Sequence, residues 1–373
     1  MYFEIALIIR EEFFVSKYWS EITKNIEPYV CGEQPKDKKY IKLNTNENPY
    51  PPSPKVIEAI KNAANEDLRL YPDPNCDELR ETIAKYYKLD KNQVFIGNGS
   101  DEVLAFSFLT FFNQDEDIIF PDISYSFYPV YAKLYKLDYR LAKLKEDFSI
   151  NVEDFLCENG GVIIPNPNAP TGRSLDVEAI KRILEYNSNK VVIIDEAYID
   201  FGGESVVKLI KDYSNLLVVQ TLSKSRSLAG IRIGFALGQE ELIDGLNRIK
   251  NSINSYTIDR IAAKAAVAAI EDQIYFKECA SKIVNTRERV VEGLKKIGFE
   301  VIPSKANFIF ASHHEINGEK LFLTLRENGL LVRYFNKPRI NNYLRITIGS
   351  EEEMGIFLEK LKMIVAEIIS KDK

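Results

Sequence analysis

The chain has 373 residues, long for one hydrophobic core, so two domains or one large domain with a smaller lobe are expected. Its 45% hydrophobic and 28% charged residues are those of an ordinary globular protein, and a net charge of -6 argues against nucleic acid, whose phosphates need a basic face. Four scattered cysteines and only two histidines leave no spacing for a zinc site, a redox pair or a histidine-based triad, and reduced thiols suit the cytoplasm.

The stretch Met1–Arg10 is apolar but short, is interrupted by Glu4 and lacks a basic lead. It predicts a packing or partner-docking arm rather than a signal peptide or membrane span. From Lys42 to Pro52 the sequence is rich in Asn and Pro, which suits a loop near a site. Val56, Ile57, Ile60 and Ala64 then keep helical spacing until Tyr71-Pro72-Asp73-Pro74 ends that unit, and Leu79, Ile83, Tyr86 and Tyr87 mark a second helix.

Strand and helix signals alternate from there. Apolar, β-branched runs occur at Val94-Phe95-Ile96, Ile118-Ile119-Phe120, Val162-Ile163-Ile164, Val191–Ile194, Leu216–Val219 and Ile231–Leu237, separated by stretches such as Val177, Ile180, Ile183 and Leu184. Short runs apolar on both faces with helices between them predict an α/β fold with a mostly parallel sheet covered on both sides. Beyond Ile270 a long helix through Ile283 and Leu294 leads to strands around Phe308–Phe310, Leu330–Val332 and Leu344–Ile348 and to a last helix through Phe357 and Ile368. The expected division is an N-terminal arm with part of the small domain over 1–46, a large domain over 47–270 and a small α+β domain over 271–373. His313 and His314 are expected in a solvated polar loop.

In an open parallel sheet the ligand crevice lies beyond the carboxyl ends of the strands, so the residues following each apolar run matter most. Gly97-Asn98-Gly99-Ser100-Asp101-Glu102 is either a phosphate cradle at a helix start or a plain turn capped by Ser100 or Asp101. Tyr125, after the next run, can lie flat on an aromatic ligand or pack in the core. Asn166-Pro167-Asn168-Ala169-Pro170-Thr171-Gly172 is a rigid turn exposing an amide. Asp195, ending an apolar strand before Glu196-Ala197-Tyr198, is a helix cap or the partner of a buried cation such as a protonated pyridine. The last run empties into Thr221-Leu222-Ser223-Lys224-Ser225, with Arg232 eight positions past Lys224. A desolvated lysine near another cation becomes a nucleophilic amine, whereas a lone loop lysine is most often simply solvated. Together, a phosphate cradle, a stacking ring, a buried carboxylate and a lysine are what pyridoxal phosphate needs.

In order and spacing, the segments Asn166–Gly172, Asp195–Tyr198 and Thr221–Lys224 with Ala229–Gly234 resemble the fold-type I, class I/II aminotransferases. With Leu43–Pro49, Arg69–Pro72, Gly97–Glu102 and Leu344–Gly349, the chain from about Pro28 onward resembles the histidinol-phosphate branch of that family in particular. The resemblance implies that pyridoxal phosphate is the cofactor, carried by Lys224, which then shuttles the proton. It also implies Asp195 on the pyridine nitrogen, Tyr198 on the ring oxygen and Tyr125 stacked on the ring. Ser223, Arg232, the Ser100 and Asp101 amides and Tyr71 of a second subunit would hold the phosphate, which makes a homodimer. Arg345 would bind the acidic end of the substrate, with Arg333, Tyr29 and Asn46 nearby. The family places Asn where this chain has Ala169, so either Asn168 or a water bonds the ring oxygen instead, or the electron sink is tuned differently. The implied reaction is amino transfer between a phosphorylated amino alcohol, histidinol phosphate, and 2-oxoglutarate or glutamate, a step of histidine biosynthesis. A phosphothreonine decarboxylase, an aromatic aminotransferase and a non-catalytic cofactor-binding regulator are the alternatives.

Overall fold

Apolar runs that can bury both faces come together as the centre of one sheet. The computed structural model describes residues 16–371. After α1 (Glu21–Asn25), β1 (Ile41–Lys42), α2 (Pro54–Ala63) and α3 (Asp77–Tyr87), the chain enters β2 (Val94–Asn98), α4 (Gly99–Phe111), β3 (Ile118–Pro121), α5 (Tyr128–Tyr135), β4 (Tyr139–Ala142) and β5 (Gly161–Pro165). It continues through α6 (Val177–Tyr186), β6 (Val192–Asp195), β7 (Leu216–Thr221), β8 (Ile233–Leu237), α7 (Glu240–Ile253) and α8 (Arg260–Glu271). Then come α9 (Gln273–Lys295), β9 (Phe299–Ile302), β10 (Phe308–His313), α10 (Gly318–Glu327), β11 (Leu330–Leu331), β12 (Arg333–Tyr334), β13 (Leu344–Thr347) and α11 (Glu351–Lys371).

Seven strands pair in the order β2-β8-β7-β6-β5-β3-β4, parallel except at the two pairings of β8, so the expected mostly parallel sheet is present. Alternation within each strand splits its side chains between two cores. Val162, Ile164, Val192, Ile194, Leu216 and Val218 pack with α2, α3, α6 and α8 on one face. Ile163, Ile193, Leu217 and Val219 pack with α4, α5 and α7 on the other. Both faces being covered is what makes these runs read as unbroken apolar stretches.

A second, antiparallel sheet runs β12-β13-β10-β9, and its core joins Ile309, Ile346 and Ile348 to α9 and α11 through Ile283, Leu294, Phe357 and Leu361. The segment β1 pairs in parallel with β11, and Leu43 enters that same core. This is how Asn44 and Asn46, early in the chain, reach the neighbourhood of Thr347 and Arg345.

The structure adds one strand to the large sheet and overturns one expectation. Strand β4 carried no apolar signal because Arg140 and Leu141 of this sheet edge are exposed. His313 is not in a solvated loop: it ends β10, is buried, and places its ring edge-on to Phe299 with Nε2 3.0 Å from the Ile297 carbonyl. The arm Met1–Arg10 lies outside the described residues. Among those described, no helix is long and apolar enough to cross a membrane.

Candidate active site

A cleft of about 990 Å³, counting the open solvent at its mouth, lies where the carboxyl ends of β3, β5, β6 and β7 meet the start of α4 and the four-stranded sheet. At one end, β8 runs against the first turn of α4. A side chain at Gly234 would sit 2.2 Å from the Ser100 nitrogen, and one at Gly99, whose φ is +78°, would sit 2.4 Å from Arg232 Nη2. Only glycine permits this approach, which brings Arg232, Ser100, Asp101 and Ser223 to one corner of the cleft. The first amides of a helix have no intrahelical acceptor, so this corner combines free N–H groups, a guanidinium and a hydroxyl and suits an anion. Asp101 orders it, accepting from Tyr125 Oη at 2.7 Å and from Arg232 Nη2 at 3.1 Å.

Asp195 ends β6 and is 5% exposed. Its carboxylate accepts from Tyr128 Oη at 2.8 Å and from the Ala197 N–H at 3.2 Å, with no cation paired to it among the described residues. Burial pushes its pKa up to about 6, against the pull of those two donors. A carboxylate held this way at the wall of a cleft is an acceptor for a positive ligand group.

Lys224 follows β7 in a loop pinned from several sides. Asn48 Nδ2 donates to the Lys224 carbonyl at 3.0 Å, Ser225 Oγ donates to Asp200, and Arg226 Nη1 donates to the Ala269 carbonyl at 2.7 Å. The Lys224 amine lies 3.2 Å from the Thr45 carbonyl. Its pKa falls to about 8, first because burial disfavours the ammonium and then because the Arg345 cation repels it, with Asp101 and Glu47 opposing. Tyr198 packs edge-on against Phe308, 5.0 Å between ring centroids, and accepts a hydrogen bond from Asn46 Nδ2 at 3.0 Å.

The far end of the cleft is cationic. Arg345 lies near Phe308 and Phe335, 5.4 and 5.6 Å from the ring centroids, and donates from Nη2 to the Asn44 carbonyl at 3.0 Å. Its buried Nε has no hydrogen-bond partner among the described residues. Arg333 donates to the carbonyls of Val30 and Cys31, at 3.2 and 3.4 Å, and its guanidinium lies 5.5 Å from the Phe335 ring centroid. Tyr29 stacks on Phe127 at 4.2 Å and lines the same end. Two guanidiniums with no carboxylate partner among the described residues make a site for an acidic ligand.

Of the residues singled out in the sequence, Lys224, Asp195, Tyr198, Tyr125, Ser223, Arg232, Ser100, Asp101, Arg345, Arg333, Tyr29 and Asn46 all line this one cleft. Asn168 does not. It is buried behind the cleft wall formed by Pro167, Ala169 and Pro170, with its amide nitrogen on the Ile123 carbonyl at 2.9 Å and Thr171 Oγ1 at 3.0 Å. Its oxygen, left without a partner, is an acceptor and has the wrong polarity for a ring oxygen. Tyr71 is also outside the cleft of its own chain, 78% exposed and stacked on Tyr256 at 4.7 Å. Sequence inspection missed Tyr128, Thr347 and Phe335; the signal for Tyr128 was its place three residues after Tyr125, following the same apolar run.

A model of the family described as aminotransferase class I and II matches residues 38–361. A histidinol-phosphate aminotransferase of Clostridium botulinum (strain Langeland) is 70% identical over 354 residues, 95% of this chain and 100% of that protein. One from Clostridium beijerinckii is 62% identical over 352 residues, 94% of this chain and 98% of that protein. The crystal structure of the histidinol-phosphate aminotransferase from Clostridium acetobutylicum matches with TM-score 0.81 at 30% identity, covering 87% of this chain and 99% of that one. The structure of histidinol-phosphate aminotransferase from Sinorhizobium meliloti in complex with pyridoxal-5'-phosphate gives TM-score 0.87 at 22% identity over 95% and 99% of the two chains, a likeness of fold.

Proposed function

Because this chain belongs to the class I and II aminotransferases, we propose that it transfers an amino group from L-histidinol phosphate to 2-oxoglutarate, giving imidazole acetol phosphate and glutamate, a step of histidine biosynthesis. Its relatives at 70 and 62% identity carry that activity in their names. The observation that carries the reading is the presence, in one cleft, of the Lys224 amine and of Arg345, whose buried Nε has no partner among the described residues.

The cleft residues fit pyridoxal phosphate. The corner of Ser223, Arg232 and the Ser100 and Asp101 amides suits its phosphate, the unpaired Asp195 carboxylate its ring nitrogen, Tyr198 its ring oxygen and Tyr125 its ring face. When bound, the cofactor supplies an aldehyde for amines and a protonated ring that accepts the electron pair left when a proton leaves the substrate α-carbon. Asp195 keeps that ring nitrogen protonated by offering a fixed negative charge in a buried place. Lys224, released as a free amine, takes the α-proton and returns it; its lowered pKa keeps a neutral fraction available near pH 7. Arg345 holds the phosphate of one substrate and a carboxylate of the other, because a guanidinium fork binds either.

The protein works as a cytoplasmic homodimer. Exposed Leu68, Leu70, Tyr71 and Tyr256 support a subunit contact that brings Tyr71 to the partner's phosphate corner, and four unpaired cysteines suit a reducing compartment. Sedimentation should give a dimer; a fully active monomer contradicts this assembly. The substrate is tested by separate turnovers. Glutamate should form rapidly from histidinol phosphate and 2-oxoglutarate. Carbon dioxide from phosphothreonine without an oxo acid, or faster turnover of phenylalanine, would transfer the assignment to a decarboxylase or an aromatic aminotransferase.

A further inference from the structure

We propose that Asn46 is a positioning residue that turns the Tyr198 hydroxyl into a hydrogen-bond donor aimed at the ligand in the cleft, with Thr347 fixing the orientation of the Asn46 amide. The proposal rests on the cofactor reading above and gives Asn46 a task other than contact with substrate.

Asn46 is 1% exposed, has the left-handed φ of +56°, and has every polar group engaged. Its N–H donates to Thr347 Oγ1 at 3.0 Å and its carbonyl accepts from Asn307 Nδ2 at 3.0 Å. In the side chain, Oδ1 accepts the Thr347 hydroxyl proton at 3.1 Å and Nδ2 donates to Tyr198 Oη at 3.0 Å. Thr347 has one proton to give. Its oxygen accepts the Asn46 N–H and its proton goes to Oδ1, and with the amide oxygen turned to Thr347 the amide nitrogen is the group facing Tyr198. An amide nitrogen only donates. Tyr198 Oη therefore accepts on that side, and its own proton has no acceptor among the described residues; Tyr198 lines the cleft. Beside it, Ala169, Ala306 and Phe308 form an apolar wall. The consequence is directional: a donor from Tyr198 stabilises negative charge on the ring oxygen of a ligand attached to Lys224, and so lowers the proton affinity of that attachment.

The test follows the visible absorption of pyridoxal phosphate bound to the full-length protein against pH, in wild type, N46D, Y198F and N46D/Y198F. The carboxylate that N46D introduces would accept the Tyr198 proton and reverse the bond. The expected result is a midpoint raised by about one pH unit or more in each single variant, with the double variant matching Y198F. The groups around Tyr198 that carry or can carry charge, Arg345, Lys224, Asp195, Asp101 and Tyr29, are unchanged in all four proteins. An unshifted N46D, or a double variant whose shift is the sum of the single ones, overturns the proposal, since added charge alone would act without Tyr198. Thr347→Val should raise the midpoint part of the way and Thr347→Ser should not; an unshifted Thr347→Val overturns the orienting role. Turnover is assayed in parallel. A wild type with the pH-dependent absorption but no activity on histidinol phosphate refutes the substrate alone, with the Asn46 outcome read as before. An apoprotein that takes up no pyridoxal phosphate refutes both.

Discussion

Tyr128 donates its hydroxyl proton to Asp195, Oη to Oδ2 at 2.8 Å, from the first residue of α5. The tyrosine is fully buried, so this hydrogen bond is set by the packing of α5 against the sheet. It favours the charged carboxylate that burial disfavours.

Tyr128→Phe keeps the shape and removes that donor. With one of its two donors gone, the Asp195 pKa in the cofactor-free protein moves up from about 6, so the loss of pyridoxal phosphate affinity on acidification should move to higher pH by about one unit. Pyridoxal phosphate should bind roughly tenfold more weakly, measured by fluorescence titration of the apoprotein. An unchanged pH profile would make Tyr128 merely structural.

Lys224→Ala removes the amine at the cleft wall. Turnover should fall about 10³-fold or more, and the cofactor should separate from the variant on gel filtration while the wild type retains it. In the cofactor-free wild type, the lysine with its pKa near 8 is about one-tenth neutral at pH 7, and reaction with an added aldehyde should quicken as pH rises through 8. Arg345→Gln removes a cation that lowers this pKa, so the same curve should move to higher pH.

Arg345→Lys keeps the charge but loses the fork. The ammonium cannot reproduce two parallel hydrogen bonds from a group set beside Phe308 and Phe335. KM for histidinol phosphate and for 2-oxoglutarate should each rise about 10- to 100-fold, with a smaller change in kcat, by steady-state kinetics.

Gly234→Ala tests the close approach of β8 to α4. The new methyl would meet backbone at 2.2 Å, which no side-chain rotation relieves. Destabilisation of about 2 kcal/mol or more is expected in thermal denaturation, together with weaker binding of phosphate-bearing ligands. Gly355→Ala, at a helical position where nothing lies within 4 Å, should be neutral or stabilise by up to about 1 kcal/mol.

The seven-stranded sheet was legible in the chain because its central strands are buried on both faces and so read as unbroken apolar runs. The short pairings β1–β11 and β12–β13 were not, since two residues of strand have no period to detect. The solvated reading of His313 failed for a related reason: its burial depends on Phe299 and Ile297, which the local polar sequence does not reveal. Asn168 was drawn to the ring oxygen by adjacency to Ala169, yet the turn directs its amide inward onto Ile123 and Thr171.

By itself the sequence determined the large sheet and the positions of Asp195, Ser223, Lys224 and Arg232 at its strand ends, because each follows or precedes its own apolar run. Only the tertiary structure decided how those groups are oriented. Tyr198 receives its donor from Asn46, 152 residues earlier, and Asn46 is fixed by Thr347, 301 residues later. Asp195 is held by Tyr128 across 67 residues, and the Arg345 Nε has no hydrogen-bond partner among the described residues. Local periodicity places a side chain on a face. Which atom donates to which depends on partners brought from distant segments by packing, and that is settled only when the two sheets and the segment around Asn46 close on one another.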